Sequence, residues 1–174
     1  NKKPLPATTL MVRKRKMNSQ EFNAVFRQLL PEVTRFLARR VTPSSVEDLA
    51  SELFALAWSK RTEIPAGMEF PWLIKSARYL IANHNRKEQG RSRILASFTE
   101  PIAAPSAESV AIADLALASA WSELPARDKE VLTLWAIEGL EPAEIAIAIS
   151  ATENSVNTRL SRAKKKLLAN FENN

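Results

Sequence analysis

The sequence predicts an all-α protein made of two small helical domains joined by a flexible linker. Three observations carry that reading. Apolar residues recur at three- and four-residue spacing through most of the 174 residues, and nothing alternates as a half-buried strand does. Residues 90–109 hold Pro101, Pro105 and many small or polar side chains without an apolar stripe, which is linker composition. The hydrophobic fraction of 45% supplies genuine cores on either side, since disordered chains are poorer in such residues.

The first helix follows from Phe22, Val25, Phe26, Leu29, Val33, Phe36 and Leu37. Pro31 lies inside that run and predicts a kink or a split into two helices, because it lacks the N–H of the helical ladder. Arg39 and Arg40 close the run with the positive charge that a helix C-terminus favours. After Thr42-Pro43-Ser44, Ser45 with Asp48 resembles a capping box. Val46, Leu49, Ala50, Leu53, Phe54, Ala57 and Trp58 then mark a second helix. Glu63 to Phe70 reads as a loop punctuated by Pro65 and Gly67. A third helix is expected from about Pro71 to Lys87, with Leu73, Ala77, Leu80 and Ile81 as its buried stripe.

Beyond the linker, Val110, Leu117, Trp121 and Leu124 mark a helix that Pro125 ends. Val131, Leu132 and Trp135 form the next apolar face, and Gly139 suits a left-handed C-cap. Two helices follow in close succession, Pro142–Ile149 and one running to Phe171, joined by Ser150-Ala151-Thr152. That spacing is a helix-turn-helix. Ile145, Ile149, Val156 and Leu160 are placed to pack its helices, and Ala146 permits their close approach. Ser150 stands where such turns often carry Gly, and a turn without a positive φ would accommodate it. The outer face of the last helix offers Asn154, Asn157, Thr158, Ser161, Arg162 and Lys165, donors suited to base edges and phosphates. By itself the pattern also fits a helical hairpin with a solvated basic face. The domain division is thus a basic tail at 1–16, a helical domain at 17–89, a linker at 90–109 and a helix-turn-helix domain at 110–174.

The net charge of +6 invites a simple nucleic-acid reading, but its distribution is narrower. Lys2, Lys3, Arg13, Lys14, Arg15 and Lys16 carry the whole excess in a tail without acids, so the rest of the chain is neutral overall. The tail reads as disordered, either a basic arm or an extension ahead of a start at Met11 or Met17. Within the neutral body, Lys75, Arg78, Arg86, Lys87, Arg91 and Arg93 face only Glu88. Arg159, Arg162, Lys164, Lys165 and Lys166 face only Glu153. Residues 127–144 run the other way, with Asp128, Glu130, Glu138, Glu141 and Glu144 against Arg127 and Lys129. Two local basic patches are a better polyanion footprint than one tail.

Several classes fall away. With no Cys there is no disulfide scaffold or thiol chemistry, and with one His, His84, there is no multi-His metal site. No run of 18 apolar residues is present to cross a membrane. An enzyme is the least favoured class: there is no phosphate-cradling Gly-rich loop, no triad around His84 and no His-Glu-x-x-His motif. No cofactor or metal is expected.

Two blocks of residues carry a family resemblance. Leu124-Pro125-Ala126-Arg127-Asp128-Lys129-Glu130-Val131-Leu132, Glu138-Gly139-Leu140, Glu144-Ile145-Ala146 and Ser155–Ala163 resemble region 4 of bacterial RNA polymerase sigma factors of the extracytoplasmic-function (ECF) group. Upstream, Glu47–Phe54 with Trp58 resembles their region 2.2, and Trp72–Arg78, reaching Arg86, resembles regions 2.3 and 2.4. The resemblance covers roughly residues 20–170, with both blocks in the family's order. Ser51, Tyr79, Asn83 and Asn157 depart from the residues usual in the family, which bears on the detailed contacts and the promoter sequence.

The resemblance implies a cytoplasmic sigma factor without chemistry of its own. It would bind core RNA polymerase, through its β′ and β subunits, with Asp48, Leu49, Glu52 and Phe54 at the contact; Trp58, which also matches, is read first as core packing. Region 2 would open and read the −10 promoter element, taking an unstacked base near the Thr62–Pro71 loop. Trp72, Lys75, Arg78, Asn83, Arg86 and Lys87 are the candidates there, Trp72 being equally readable as core. Unstacking costs a few kcal/mol, so stacking and cationic contacts must return it. Region 4 would read the −35 element, with Asn157, Thr158 and Arg162 at base edges and Ser155, Arg159 and Lys165 on phosphates. An anti-sigma factor is the expected regulator. The competing readings are a stand-alone helix-turn-helix regulator, and a helical interaction protein that needs no ordered recognition face.

Overall fold

In the computed structural model the described residues are 17–88, 105–106, 108 and 114–173, and they form seven helices and no strand. The tail (1–16) and most of the expected linker (90–109) lie outside them. The first three helices are α1 (Ser19–Ala38), α2 (Pro43–Ser59) and α3 (Glu69–Glu88). They pack pairwise on one another. The other four are α4 (Leu115–Ser122), α5 (Ala126–Ala136), α6 (Pro142–Ala148) and α7 (Glu153–Glu172). Here α7 is the hub, touching α4, α5 and α6.

Local chemistry sets most of the boundaries. Asn18 caps α1 by accepting from the Glu21 N–H at 2.9 Å, while Glu21 accepts from the Asn18 N–H at 3.1 Å. Pro31 neither splits nor ends α1, which is continuous; its side chain is exposed, so the ring displaces no packing. The second helix begins earlier than Ser45 and Asp48 suggest. Thr42 is its N-cap and Pro43 takes the first turn, where a missing N–H costs nothing. Gly139 has φ +70 and Leu140 donates back to the Leu134 carbonyl at 3.0 Å, the expected left-handed termination of α5.

The buried residues follow the predicted stripes, with instructive exceptions. Val33, Phe36, Leu37, Leu53, Leu73, Ala77 and Ile81 are buried in the first unit, and Val131, Leu134, Ile145, Val156, Leu160 and Ala163 in the second. Trp135 is not part of that core: it is 41% exposed, its ring lying under Lys164 Nζ at 3.3 Å. Conversely, Ile74 and Arg78 are fully buried although they lie beside the α3 stripe. They are covered because α3 packs on α1 and α2 and also on α6 of the second unit.

That contact joins the two units, and buried ion pairs line it. Arg78 Nε donates to Glu130 Oε1 at 2.7 Å and its Nη1 to the Ala148 carbonyl at 2.7 Å. Arg39 Nη2 and Arg40 Nη1 reach the two oxygens of Glu138 at 2.6 and 3.3 Å. Burial pushes the Arg40 guanidinium down to about 10, and the Glu138 carboxylate opposes that shift.

Candidate nucleic-acid interface

The helix-turn-helix is built by α6, the turn and α7. Glu144 Oε2 accepts from the Glu141 N–H at 2.8 Å, and Thr152 Oγ1 accepts from the Ser155 N–H at 3.2 Å, so both helix starts are capped. Ile145, Ala146, Ile149, Val156 and Leu160 are buried where the sequence places them. The turn differs from expectation. Ser150 has φ +55, so this turn does need the left-handed conformation, and a serine holds it without a glycine's freedom. The Ala151 N–H closes the turn on the Ala146 carbonyl at 2.9 Å.

Burying Val156, Leu160 and Ala163 turns the opposite face of α7 outward. Asn154, Ser155, Asn157, Thr158, Ser161, Arg162 and Lys165 are all exposed. Arg159 is only partly exposed and lies 3.6 Å from Asp128 Oδ1, while Lys166 Nζ is 3.1 Å from Asp128 Oδ2. Asp128, itself buried at the start of α5, thus tethers two cations of the outer helix. Nothing in the spacing of α7 points to that tether. The acidic excess of residues 127–144 is the signal for it.

The α3 candidates divide. Asn83, Arg86 and Lys87 are exposed and Lys75 is partly so, with Arg86 hydrogen-bonded to Asn83. Tyr79, 45% exposed, shares their side of the helix. Trp72 is half-buried against the core. Arg78 is corrected outright as an open surface group: it is 1% exposed and bound across the units. Its position beside Ile74 and Ile81 turns it toward α6.

The α2 candidates divide as well. Asp48 and Glu52 are exposed, but Leu49 and Phe54 are buried and offer little apolar surface. Phe54 packs edge-on to Phe26 with centroids 4.4 Å apart. Trp58, read from sequence as core, is the more available aromatic at 38% exposure, between Phe22 at 5.1 Å and Arg61 at 4.2 Å. An open groove of about 400 Å³ between α2 and α3 is lined by Leu49, Glu52, Asn83, His84, Arg86 and Lys87. It brings the exposed carboxylate of α2 alongside the exposed cations of α3.

Among the described residues, no three His, Asp or Glu side chains gather in a way that would hold a metal ion. No described helix is long and apolar enough to cross a membrane.

Comparison with known proteins places these features. Residues 114–167 match the family described as Sigma-70, region 4. The chain is 26% identical over 168 residues to the ECF RNA polymerase sigma factor SigC of Mycobacterium tuberculosis, covering 95% of this chain and 91% of that protein. It is 27% identical over 127 residues to the probable RNA polymerase sigma factor RfaY of Xanthomonas campestris pv. campestris. That match covers 68% of this chain and spans 32% of the relative's length. In structure, the chain resembles the sigma factor RpoE crystallised with the anti-sigma factor NepR from Bartonella quintana. The TM-score is 0.59 at 19% identity, covering 88% of this chain and 98% of that one, a likeness of fold.

Proposed function

We infer that this chain is an RNA polymerase sigma factor of the ECF group, which binds core RNA polymerase and directs promoter-specific initiation. The observation that carries the reading is the helix-turn-helix of α6 and α7, its polar and cationic face turned outward, inside the stretch that matches sigma region 4. The near full-length match to an ECF sigma factor extends the reading to α1–α3.

In this reading residues 17–89 form region 2 and residues 110–174 form region 4. The outer face of α7 enters the major groove of the −35 element. Asn157, Thr158 and Arg162 reach base edges, and Ser155, Arg159 and Lys165 hold phosphates. Lys75, Asn83, Arg86 and Lys87 on α3 receive the single strand of the −10 element. Asp48 and Glu52 contact the polymerase, and Trp58 replaces Phe54 as the apolar member of that set because it is the exposed one. No reaction is assigned to the chain; its work is recognition and strand separation, in the cytoplasm, under control of an anti-sigma factor.

The test is to titrate the protein with bacterial core RNA polymerase and, separately, with promoter-length DNA. A sigma factor binds the polymerase tightly and acquires sequence preference only in the complex. A stand-alone regulator shows sequence-specific affinity for free DNA and ignores the polymerase, and that result would replace the proposal.

A further inference from the structure

Arg78 lies on the helix that carries the cationic −10 candidates, yet both Glu130 and the Ala148 carbonyl hold it inside the contact between α3 and α6. α6 is the first helix of the helix-turn-helix, the one that crosses the nucleic-acid backbone when such a unit docks. A single contact therefore occupies a cation of one proposed DNA surface and covers a helix of the other. A second buried pairing, Arg39 and Arg40 on Glu138, fastens the same two units at the end of α1.

We propose that Glu130 and Glu138 form an intramolecular clasp that holds the protein in a closed state of low DNA affinity, in which Glu130 occupies the place on Arg78 that a promoter phosphate takes in the open state. This rests on the sigma-factor reading and adds its regulation. The chemistry suits a switch. A carboxylate and a phosphate oxygen make the same charge-assisted, forked contact with a guanidinium, so one can replace the other. Buried ion pairs also add little net stability, because the desolvation cost offsets most of the attraction. Hydration of the separated groups thus compensates for opening, and a polymerase surface that favours the open state can draw the units apart.

The full chain tests this directly. It has no native cysteine, so Gln28→Cys and Ala169→Cys on exposed positions of α1 and α7 accept a dye pair. Energy transfer reads separation of the units, and two labelled probes, a random-sequence duplex and oligothymidine, read DNA binding. Glu130→Gln is expected to lengthen the distance and to bind both probes up to about a hundredfold more tightly, the change for a closed state holding about 99% of the population. Arg78→Ala should lengthen the distance and tighten duplex binding while gaining nothing on oligothymidine, since it removes the clasp and the single-strand contact together. Glu138→Gln, whose arginine partners lie off the α3 face, gives a second opening variant if Glu130→Gln loses helix content. Wild-type distance and wild-type affinity in a folded Glu130→Gln overturn the clasp. A lengthened distance with no gain on either probe overturns its inhibitory role. Failure of the sigma-factor reading registers separately, as wild-type energy transfer that core polymerase leaves unchanged.

Discussion

Replacing Glu138 by Ala should be far more disruptive than its single charge suggests. Its side chain is 4% exposed and is the carboxylate shared by Arg39 and Arg40, whose side chains are 17% and 2% exposed. Removing one partner of a buried pair typically costs about 3–5 kcal/mol, because the charge left behind has lost its water and gained nothing. Part of that is retained here. Arg40 Nη1 still donates to the Phe36 carbonyl at 2.9 Å, and its guanidinium lies 3.6 Å over the Phe36 ring, a contact of about 0.5–2 kcal/mol. The chain also has an escape, since separating the units lets both arginines hydrate. The loss is therefore capped by the free energy of docking, and about 2–3 kcal/mol is expected. Urea titration followed by circular dichroism should show it, together with a lower m-value as the units unfold less cooperatively. The internal control is Glu63→Ala, which removes the exposed Lys60–Glu63 pair (3.3 Å) and should change stability by less than about 1 kcal/mol. A Glu138→Ala loss no larger than the control's, with an unchanged m-value, would mean that the buried pairing does not couple the two units.

Substitutions within the helix-turn-helix separate base reading, phosphate contact and folding. Arg162→Ala should cost about 1–3 kcal/mol at one position of the −35 element, whereas Lys165→Ala should weaken all sequences alike and lower the salt slope by about one; holoenzyme binding to a set of point-substituted promoters separates the two. Ser150→Gly should stabilise the protein by up to about 1 kcal/mol in thermal unfolding, because glycine takes φ +55 without the left-handed penalty. Ile145→Ala should destabilise by about 2–5 kcal/mol and abolish −35 selectivity, since a fully buried side chain between the two helices is lost.

The helices and most of their buried faces were legible because apolar spacing reports burial directly. Val156, Leu160 and Ala163 follow from spacing alone, and so does the outward face of α7. What escaped depended on tertiary contact. Arg78 reads as a surface cation on an isolated α3, and only the packing of α6 makes it a core residue. Leu49 and Phe54 sit on an α2 face that α1 and α3 cover, so matching a binding motif did not make them accessible. Trp58 and Trp135 differ the other way: both are large and apolar, yet both are exposed, with Arg61 and Lys164 lying against their rings. Ser150 shows that a turn's dihedral demand cannot be inferred from the residue that meets it. The acidic bias of residues 127–144 was visible as a number; its meaning was not. Asp128, Glu130 and Glu138 are the partners of Arg159 and Lys166, of Arg78, and of Arg39 and Arg40. The charge balance of the body is thus spatial as well as arithmetic, with acids of one unit holding cations of both.

As an ECF sigma factor, this chain is proposed to give RNA polymerase its choice of promoter. The most direct test combines the purified protein with bacterial core polymerase and a pool of randomised promoter templates, and sequences the transcript starts. A sigma factor should give starts at templates enriched for one −35 and one −10 element at fixed separation, with the −35 preference altered by Arg162→Ala. Starts that ignore the template, or that are the same with and without the protein, would contradict that role.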